Sequence, residues 1–169
     1  MRRLLLLLLP CCLLFAGCWD YKDLNKLSIV SGIAFDNAKD GGITVTMEIV
    51  DRSSSPRQDG LRTRTVKASG KNPDQAVYKL SKTLDFELYY GAMAVAVFGK
   101  NVPCGELKTW LLQNREVRET VYVIYAEEGW KKLQTEEDGG IAAFKLRDIL
   151  NASKEKSPVE LYQIGRWER

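Results

Sequence analysis

Hydrophobic and polar positions alternate most regularly in the early part of the chain. Residues 27–35 are rich in β-branched side chains, and in residues 43–50 the apolar side chains fall at every second position. A period of two predicts β-strands, and the turn-forming residues 36–42 between them predict a hairpin. A third strand with a charged outer face is predicted at residues 61–68. The side chains expected to point inward from the second strand are Ile43, Val45, Met47 and Ile49.

The strongest helical pattern begins at Asn72. Asn72 is a suitable N-cap, Pro73 fits the first helical position, and Gln75 completes a capping box. The end of this helix is predicted at Gly91, because glycine is a common stop signal. The apolar positions that recur at helical spacing between the two ends are Val77, Leu80, Leu84 and Leu88.

Strands and helices alternate through the second half of the chain. Residues 92–98 are almost wholly apolar, which is typical of a strand buried on both faces. A helix is predicted to begin at Pro103, and a strand is predicted at residues 120–126. A short helix at residues 130–135 and a longer one at residues 141–155 follow.

This order of elements predicts the fold class. Three strands in succession, followed by alternating helices and strands, predict an α+β fold. Helices are expected to pack on a mixed, largely antiparallel sheet in a single domain, which we place at residues 27–156. Residues 157–169 carry no closing signal and are interpreted as a tail that starts a further domain.

The N-terminal segment has the pattern of a secretion signal. Arg2 and Arg3 precede an apolar stretch, and the small residues Ala16 and Gly17 come directly before Cys18. A transmembrane helix needs about 20 apolar residues, and this stretch is shorter, which leaves an ordinary signal peptide as the alternative. The cysteine directly after the small pair favours a lipoprotein signal peptide at residues 1–17.

Cys18 is the one site residue to which the sequence assigns a definite chemistry. Signal cleavage is expected between Gly17 and Cys18, and a diacylglycerol group is expected on the Cys18 thiol. Residues 18–26 then form a polar, membrane-proximal linker. The mature protein is expected to be lipid-anchored on the extracytoplasmic face of a membrane.

Charge content narrows the range of partners. The net charge is +3, and without Arg2 and Arg3 the 25 basic side chains become 23, against 22 acidic ones. This balance and the exported location argue against nucleic acid as a partner. A basic cluster is interpreted as a charged loop and edge strand, with anionic lipid headgroups as the alternative partner. It consists of Arg52, Arg57, Arg62, Arg64 and Lys67.

Cys104 is the one cysteine that remains once Cys11 and Cys12 leave with the signal and Cys18 is acylated. No internal disulfide can then form, so the fold depends on its hydrophobic core. The chain contains no histidine to act as a base for the thiol. Cys104 is therefore interpreted as a buried small residue rather than a nucleophile.

The chain carries no recognisable catalytic or metal-binding pattern. Histidine, the commonest general base and metal ligand, is absent. The segment that starts at Asp36 is only superficially a calcium loop, because Ala38 and Met47 occupy positions that need oxygen ligands. Paired carboxylates for glycoside hydrolysis have no distinguishing pattern in this chain. The sequence therefore predicts a protein that is not an enzyme and has no metal site, with the lipid on Cys18 as its sole attached group.

Several segments, taken together, resemble one protein family. Cys18-Trp19-Asp20 is followed by the strand that carries Ser31-Gly32-Ile33 and ends at Asp36. The chain in this respect resembles the N-terminal domain of the Ger(x)C spore germination lipoproteins, although Ala92 stands where family members often have histidine. Further segments agree in the same order, namely Glu48-Ile49-Val50, Leu88-Tyr89-Tyr90-Gly91, Ala92–Gly99 and Arg115-Glu116-Val117-Arg118.

The resemblance implies a role in spore germination. Members of this family are the C subunits of nutrient germinant receptors in spore-forming Firmicutes, and they usually carry further C-terminal domains. The expected partners are the A and B membrane subunits of the receptor and the bilayer that holds the Cys18 lipid, in the inner spore membrane. The alternative is a solute-binding or cell-wall-associated lipoprotein of another family.

Overall fold

The computed structural model describes residues 26–51, 62–134, 140–154 and 162–163. The strands are β1 (Leu27–Asn37), β2 (Ile43–Asp51), β3 (Arg62–Gly70), β4 (Glu87–Tyr89), β5 (Val95–Phe98), β6 (Tyr122–Tyr125) and β7 (Tyr162–Gln163). The helices are α1 (Pro73–Ser81), α2 (Cys104–Gln113), a 3-10 turn (Gly129–Leu133) and α3 (Ala142–Lys154).

The strands form one mixed sheet in the order β3-β2-β1-β5-β6-β7, and β4 pairs with the first residues of β1. The pairs β1–β2, β2–β3 and β6–β7 are antiparallel, whereas β1–β4, β1–β5 and β5–β6 are parallel. The predicted α+β fold with a mixed sheet is confirmed. The first three strands pair antiparallel, as expected, and β6–β7 adds an antiparallel pair in the second half of the chain.

The sheet is covered on both faces, because each face carries its own hydrophobic cluster. On one face α1 and α2, here called the first layer, pack against the alternate side chains of β1 and β2. On the opposite face the 3-10 turn and α3, here called the second layer, pack on β1 and β5. The large, fully buried side chains of the first-layer cluster include Ile33, Phe35, Met47, Leu80 and Leu107.

The predicted hairpin of β1 and β2 is confirmed. Ile43, Val45, Met47 and Ile49 are all buried in the first-layer cluster, as the alternation predicted. The prediction of a turn from residue 36 was wrong in one respect, because β1 continues to Asn37 and so includes Asp36. The turn that follows is closed by a hydrogen bond from the Ala38 amide to the Gly42 carbonyl, 2.8 Å long.

The helix after Asn72 begins as predicted but ends early. The Asn72 side chain accepts a hydrogen bond from the Gln75 amide at 2.9 Å, and Pro73 is the first helical residue. The expected continuation to Gly91 was wrong, since α1 ends at Ser81. The Thr83 hydroxyl donates to the Leu80 carbonyl at 2.7 Å, which offers the backbone an alternative to another helical turn. Residues 87–89 form β4 instead.

The remaining elements lie close to their predicted positions. β5 is buried on both faces, as its apolar sequence indicated, although it is shorter than residues 92–98. The short helix predicted at residues 130–135 is a 3-10 turn, and α3 falls within residues 141–155. In the predicted tail, Tyr162–Gln163 adds β7 to the sheet beside β6. Of the helices in the described ranges, none has the length and hydrophobicity needed to span a membrane.

Candidate functional site

Two acidic side chains point from the hairpin toward the second layer. Met47 and Ile49 face the first layer, so the pleat of β2 turns the intervening Glu48 to the other face. In the same way, Phe35 packs in the first-layer cluster and turns Asp36 to the second layer. The two carboxylates therefore lie where the 3-10 turn and α3 meet the sheet.

Glu48 is fully buried, and its carboxylate is held by four donors. Oε1 accepts from the Ala142 amide at 2.6 Å and from the Thr63 hydroxyl at 3.1 Å. Oε2 accepts from the Ser31 hydroxyl at 2.7 Å and from the Ala143 amide at 3.0 Å. Because these amides belong to the first residues of α3, the helix dipole favours the negative charge. Glu48 thus joins the N-terminus of α3 to β1, β2 and β3.

Asp36 has the equivalent role for the 3-10 turn. Its Oδ1 accepts from the Gly129 amide at 2.7 Å, and its Oδ2 accepts from the Trp130 amide at 3.0 Å. The residue before the turn, Glu128, makes no side-chain capping bond, so Asp36 supplies the missing acceptors. A side chain at Gly99 would place its Cβ 2.3 Å from Asp36 Oδ1. Glycine at that position therefore leaves room for the carboxylate.

Gly32 allows the second layer to approach β1 closely. A Cβ built on Gly32 would lie 2.8 Å from Ala143 Cβ and 2.8 Å from Leu133 Cδ2, which is inside van der Waals contact. The pairing of β1 with β2 shifts register between Val30 and Gly32, at the point where Ser31 bonds to Glu48. Ser31, Gly32, Asp36 and Glu48, here called the layer clamp, together attach the second layer to the hairpin.

Two further segments that carry the family resemblance, those that contain Tyr90 and Glu116, meet at the start of β5. The Tyr90 amide donates to Glu116 Oε2 at 3.2 Å, so the segment before β5 is tied to the segment before β6. Burial of the Tyr90 phenol, and to a smaller extent the charge of Glu116, raise the pKa of Tyr90 above its usual value. The Tyr89 ring lies against Gly91, where a Cβ would come within 2.2 Å of the Tyr89 hydroxyl.

The layer clamp attaches the second layer to the sheet through hydrogen bonds. Every carboxylate oxygen of Asp36 and Glu48 accepts at least one hydrogen bond from an N–H or O–H donor. Such donors stabilise the carboxylates in place, and removing an acceptor would leave buried donors unsatisfied. Within the described ranges, no three or more Cys, Asp or Glu side chains are grouped closely enough to hold a metal ion.

An open groove of about 610 Å³ lies beside Asp36 on the second-layer face. Its wall includes Thr46 from β2, Lys67 from β3 and the half-buried ring of Trp130. The Thr46 hydroxyl is buried, and among the residues described it has no hydrogen-bond partner. The groove is thus polar and partly covered by the 3-10 turn.

The site residues predicted from sequence fall in different places. Gly17 and Cys18 lie outside the described residues, so the predicted lipidation and cleavage site stays a prediction. Cys104 is half-buried rather than buried, at the first residue of α2, and its Sγ donates to the Val102 carbonyl at 3.3 Å. Of the basic cluster, Arg64 and Lys67 are exposed on β3, while Arg52 and Arg57 lie outside the described residues.

The role of Glu48 was not predicted from the sequence. This residue was used there only as part of Glu48-Ile49-Val50, one of the segments that carry the family resemblance. Strand alternation marks Glu48 as facing away from the first-layer core, which by itself suggests exposure to solvent. One usable signal was the start of α3, where Gly140 and Ile141 offer no side-chain acceptor for the first helical amides. A buried helix start without a local cap requires an acceptor from elsewhere in the chain.

Comparison with known proteins connects this geometry to a family. The chain matches the family model described as spore germination protein N-terminal domain over residues 20–166. No curated protein and no solved structure matches the chain. The matched range contains all of the described strands and helices, including the layer clamp.

Proposed function

The chain belongs to the family of spore germination protein N-terminal domains, and from this premise we propose that it is a membrane-anchored, non-catalytic lipoprotein subunit of a nutrient germinant receptor. The observation that carries the proposal is the family match from residue 20, which starts two residues beyond Cys18 in the lipoprotein-type pattern Gly17-Cys18. The sequence resemblance to Ger(x)C lipoproteins is in agreement with this match.

The membrane anchor is the first part of the proposal. Cleavage before Cys18 and attachment of diacylglycerol to its thiol give two acyl chains. One acyl chain binds a bilayer only marginally, whereas two hold a protein firmly, at roughly 0.8 kcal/mol per buried methylene. The domain would then remain on the extracytoplasmic face, which in a spore is the outer side of the inner membrane.

Docking to the A and B membrane subunits is the second part. A protein tethered by a short linker meets partners in the same membrane at high effective concentration, so weak contacts suffice. The layer clamp supports this function, because it fixes the 3-10 turn and α3 in one position on the sheet. The engagement of Asp36 and Glu48 in these bonds supports a structural rather than a catalytic use of the two carboxylates.

Replacing Cys18 tests the proposal. In spores that express Cys18→Ala as the sole copy, we expect the protein to disappear from the washed membrane fraction and nutrient-triggered germination to fall. Cys104→Ala is the matched control, because it removes the other cysteine predicted to remain in the mature chain and leaves the anchor intact. A Cys18→Ala protein that stays with the membrane would contradict lipid anchoring. Normal germination after its release would contradict the receptor role.

A further inference from the structure

One end of the sheet lies next to the proposed anchor. β1, β5 and β6 run parallel, so all three begin at the same end, here called the tethered end. β1 begins at Leu27, nine residues beyond Cys18. Nine residues span at most about 30 Å when fully extended, at roughly 3.3 to 3.6 Å each. If Cys18 carries lipid, the start of β1 must therefore lie within that distance of the bilayer.

A cavity of about 270 Å³ opens at the tethered end, where β5 and β6 begin. The loop at residues 91–94 forms one wall. Arg118 and Thr120 line it from the segment before β6, and Arg147 and Asn151 line it from α3. Among the described residues that line it, none is acidic. The lining of the cavity thus includes arginine residues from two separate elements.

The polar groups of this cavity suit a phosphate. The Tyr122 hydroxyl donates to Asn151 Oδ1 at 2.5 Å, which leaves the amide N–H groups of Asn151 available as donors. Arg147 lies over the Phe144 ring, with its Cζ 4.9 Å from the ring centroid, and this contact limits its motion. Planar guanidinium groups match phosphate oxygens in a two-pronged geometry.

The ion pair that would compete with a bound anion for Arg147 is weak. Arg147 contacts Asp148 Oδ1 at 3.1 Å, but the Asp148 side chain is 66% exposed and is its immediate neighbour in the chain. Exposed pairs of this kind contribute little and are screened by salt. Arg118 is exposed beside the cavity, so its guanidinium is accessible from solvent. An anion of higher charge would displace Asp148 at small cost.

We propose that this cavity binds the phosphate of an anionic lipid headgroup and thereby orients the domain with its tethered end on the bilayer. The inference rests on the lipid anchor of the proposed function. The anchor selects lipid as the source of the phosphate, because headgroups are the phosphates held permanently within reach of this end. Basic residues near an anionic membrane surface each add attraction that falls off within a Debye length.

The test places a fluorophore at each end of the lipidated, full mature chain in vesicles. In a Cys104→Ser background, Glu119→Cys labels the tethered end and Asp40→Cys labels the opposite end, in the β1–β2 turn. The quencher is a spin label on the lipid headgroups. We expect the label at position 119 to be quenched more strongly in phosphatidylcholine vesicles that contain phosphatidylglycerol than in phosphatidylcholine alone. The label at position 40 should not change.

Variants that remove charge test whether the cavity causes the difference in quenching at position 119. Arg118→Gln with Arg147→Gln should lower the ratio of docked to undocked domain about 30-fold, which corresponds to about 1 kcal/mol for each basic residue. Lys131→Gln with Lys132→Gln removes the same charge from the 3-10 turn and should leave quenching at position 119 unchanged. Equal quenching in the two kinds of vesicle, or the same loss in both double variants, would overturn the proposal.

Two further outcomes separate the possible failures. If inorganic phosphate binds the mature chain and the binding needs Arg118 and Arg147, while the label at position 119 is quenched equally in the two kinds of vesicle, the cavity is a site for soluble phosphate and the headgroup proposal is wrong. If the unmutated chain does not float with vesicles of either composition, the anchor itself is wrong. That second result counts against the proposed function, and it is distinct from a correctly anchored domain that lies in another orientation.

Discussion

Glu48 illustrates what the alternation of a strand conveys about single residues and what it omits. The pattern of β2 correctly predicted that Ile43, Val45, Met47 and Ile49 face one way. It gave no information about what covers the other face, because a polar residue there is compatible with water or with a second layer. The structure buries Glu48 completely and surrounds it with donors. Its burial depends on α3, almost a hundred residues later in the sequence.

Exchanging Glu48 for glutamine should destabilise the protein. In Glu48→Gln, an amide N–H₂ replaces one oxygen and faces N–H or O–H donors, so at least one buried donor loses its acceptor. We expect the free energy of unfolding to fall by about 2 kcal/mol. Denaturant titration followed by circular dichroism measures the change. The control is Glu127→Gln, whose side chain is 81% exposed and should cost less than about 0.5 kcal/mol. Equal effects in the two variants would contradict the layer clamp.

Tyr90 should make stability depend on alkaline pH. Its pKa is raised above the usual value of 10.0, first by burial and then by the charge of Glu116. Above about pH 10 the unfolded chain loses the phenolic proton while the folded chain keeps it, so stability decreases as pH rises. Below that pH both states bind the proton and the contribution is fully present. Urea unfolding of wild type and Tyr90→Phe should diverge between about pH 9 and about pH 11, with the steeper loss in wild type. Parallel curves would contradict this.

At the level of elements, the sequence predicted most positions but misjudged one helix. The capping residues of α1 are where the pattern placed them, because N-cap chemistry is local. Leu84 and Leu88 continue the helical spacing, yet Leu88 lies in β4 beside β1. An apolar residue that follows the previous apolar residue by four positions is compatible with one face of a helix. It is equally compatible with a separate strand. The difference depends on the parallel pairing of β4 with Leu27–Ile29, which no local pattern contains.

The contact between β1 and the second layer should be sensitive to a single methyl group. In Gly32→Ala the new Cβ meets Ala143 and Leu133 at 2.8 Å, so backbone elements must shift, at a cost of about 1 to 3 kcal/mol. Gly105→Ala is the matched control, because a Cβ there meets no atom of the described residues within 4 Å and the position lies in α2. We expect that change to stabilise the helix by up to about 1 kcal/mol. Thermal unfolding of both variants gives the comparison, and a stabilised Gly32→Ala would refute the close packing.

At the scale of the whole molecule, the fold class was predictable and the strand order was not. The apolar sequence of β5 indicated burial on both faces, which is correct. It did not indicate that β5 lies between β1 and β6, because that pairing joins residues more than sixty positions apart. The fold also brings together segments that carry the family resemblance, over shorter separations of 17 and 26 residues. The layer clamp joins two of them, and Tyr90 and Glu116 join two others.

The sheet also has an edge whose charges should keep the protein monomeric. Among the described strands, β3 pairs with β2 alone, and Arg64 and Lys67 project from it into solvent on opposite faces. Charged side chains on an edge strand discourage pairing with the edge of another molecule. Arg64→Val with Lys67→Val should therefore produce concentration-dependent association in sedimentation velocity. Lys131→Val with Lys132→Val adds the same apolar surface on the 3-10 turn, away from this edge, and should remain monomeric. If both variants associate equally, general surface hydrophobicity and not strand pairing drives the association, and the basic side chains of β3 have no protective role.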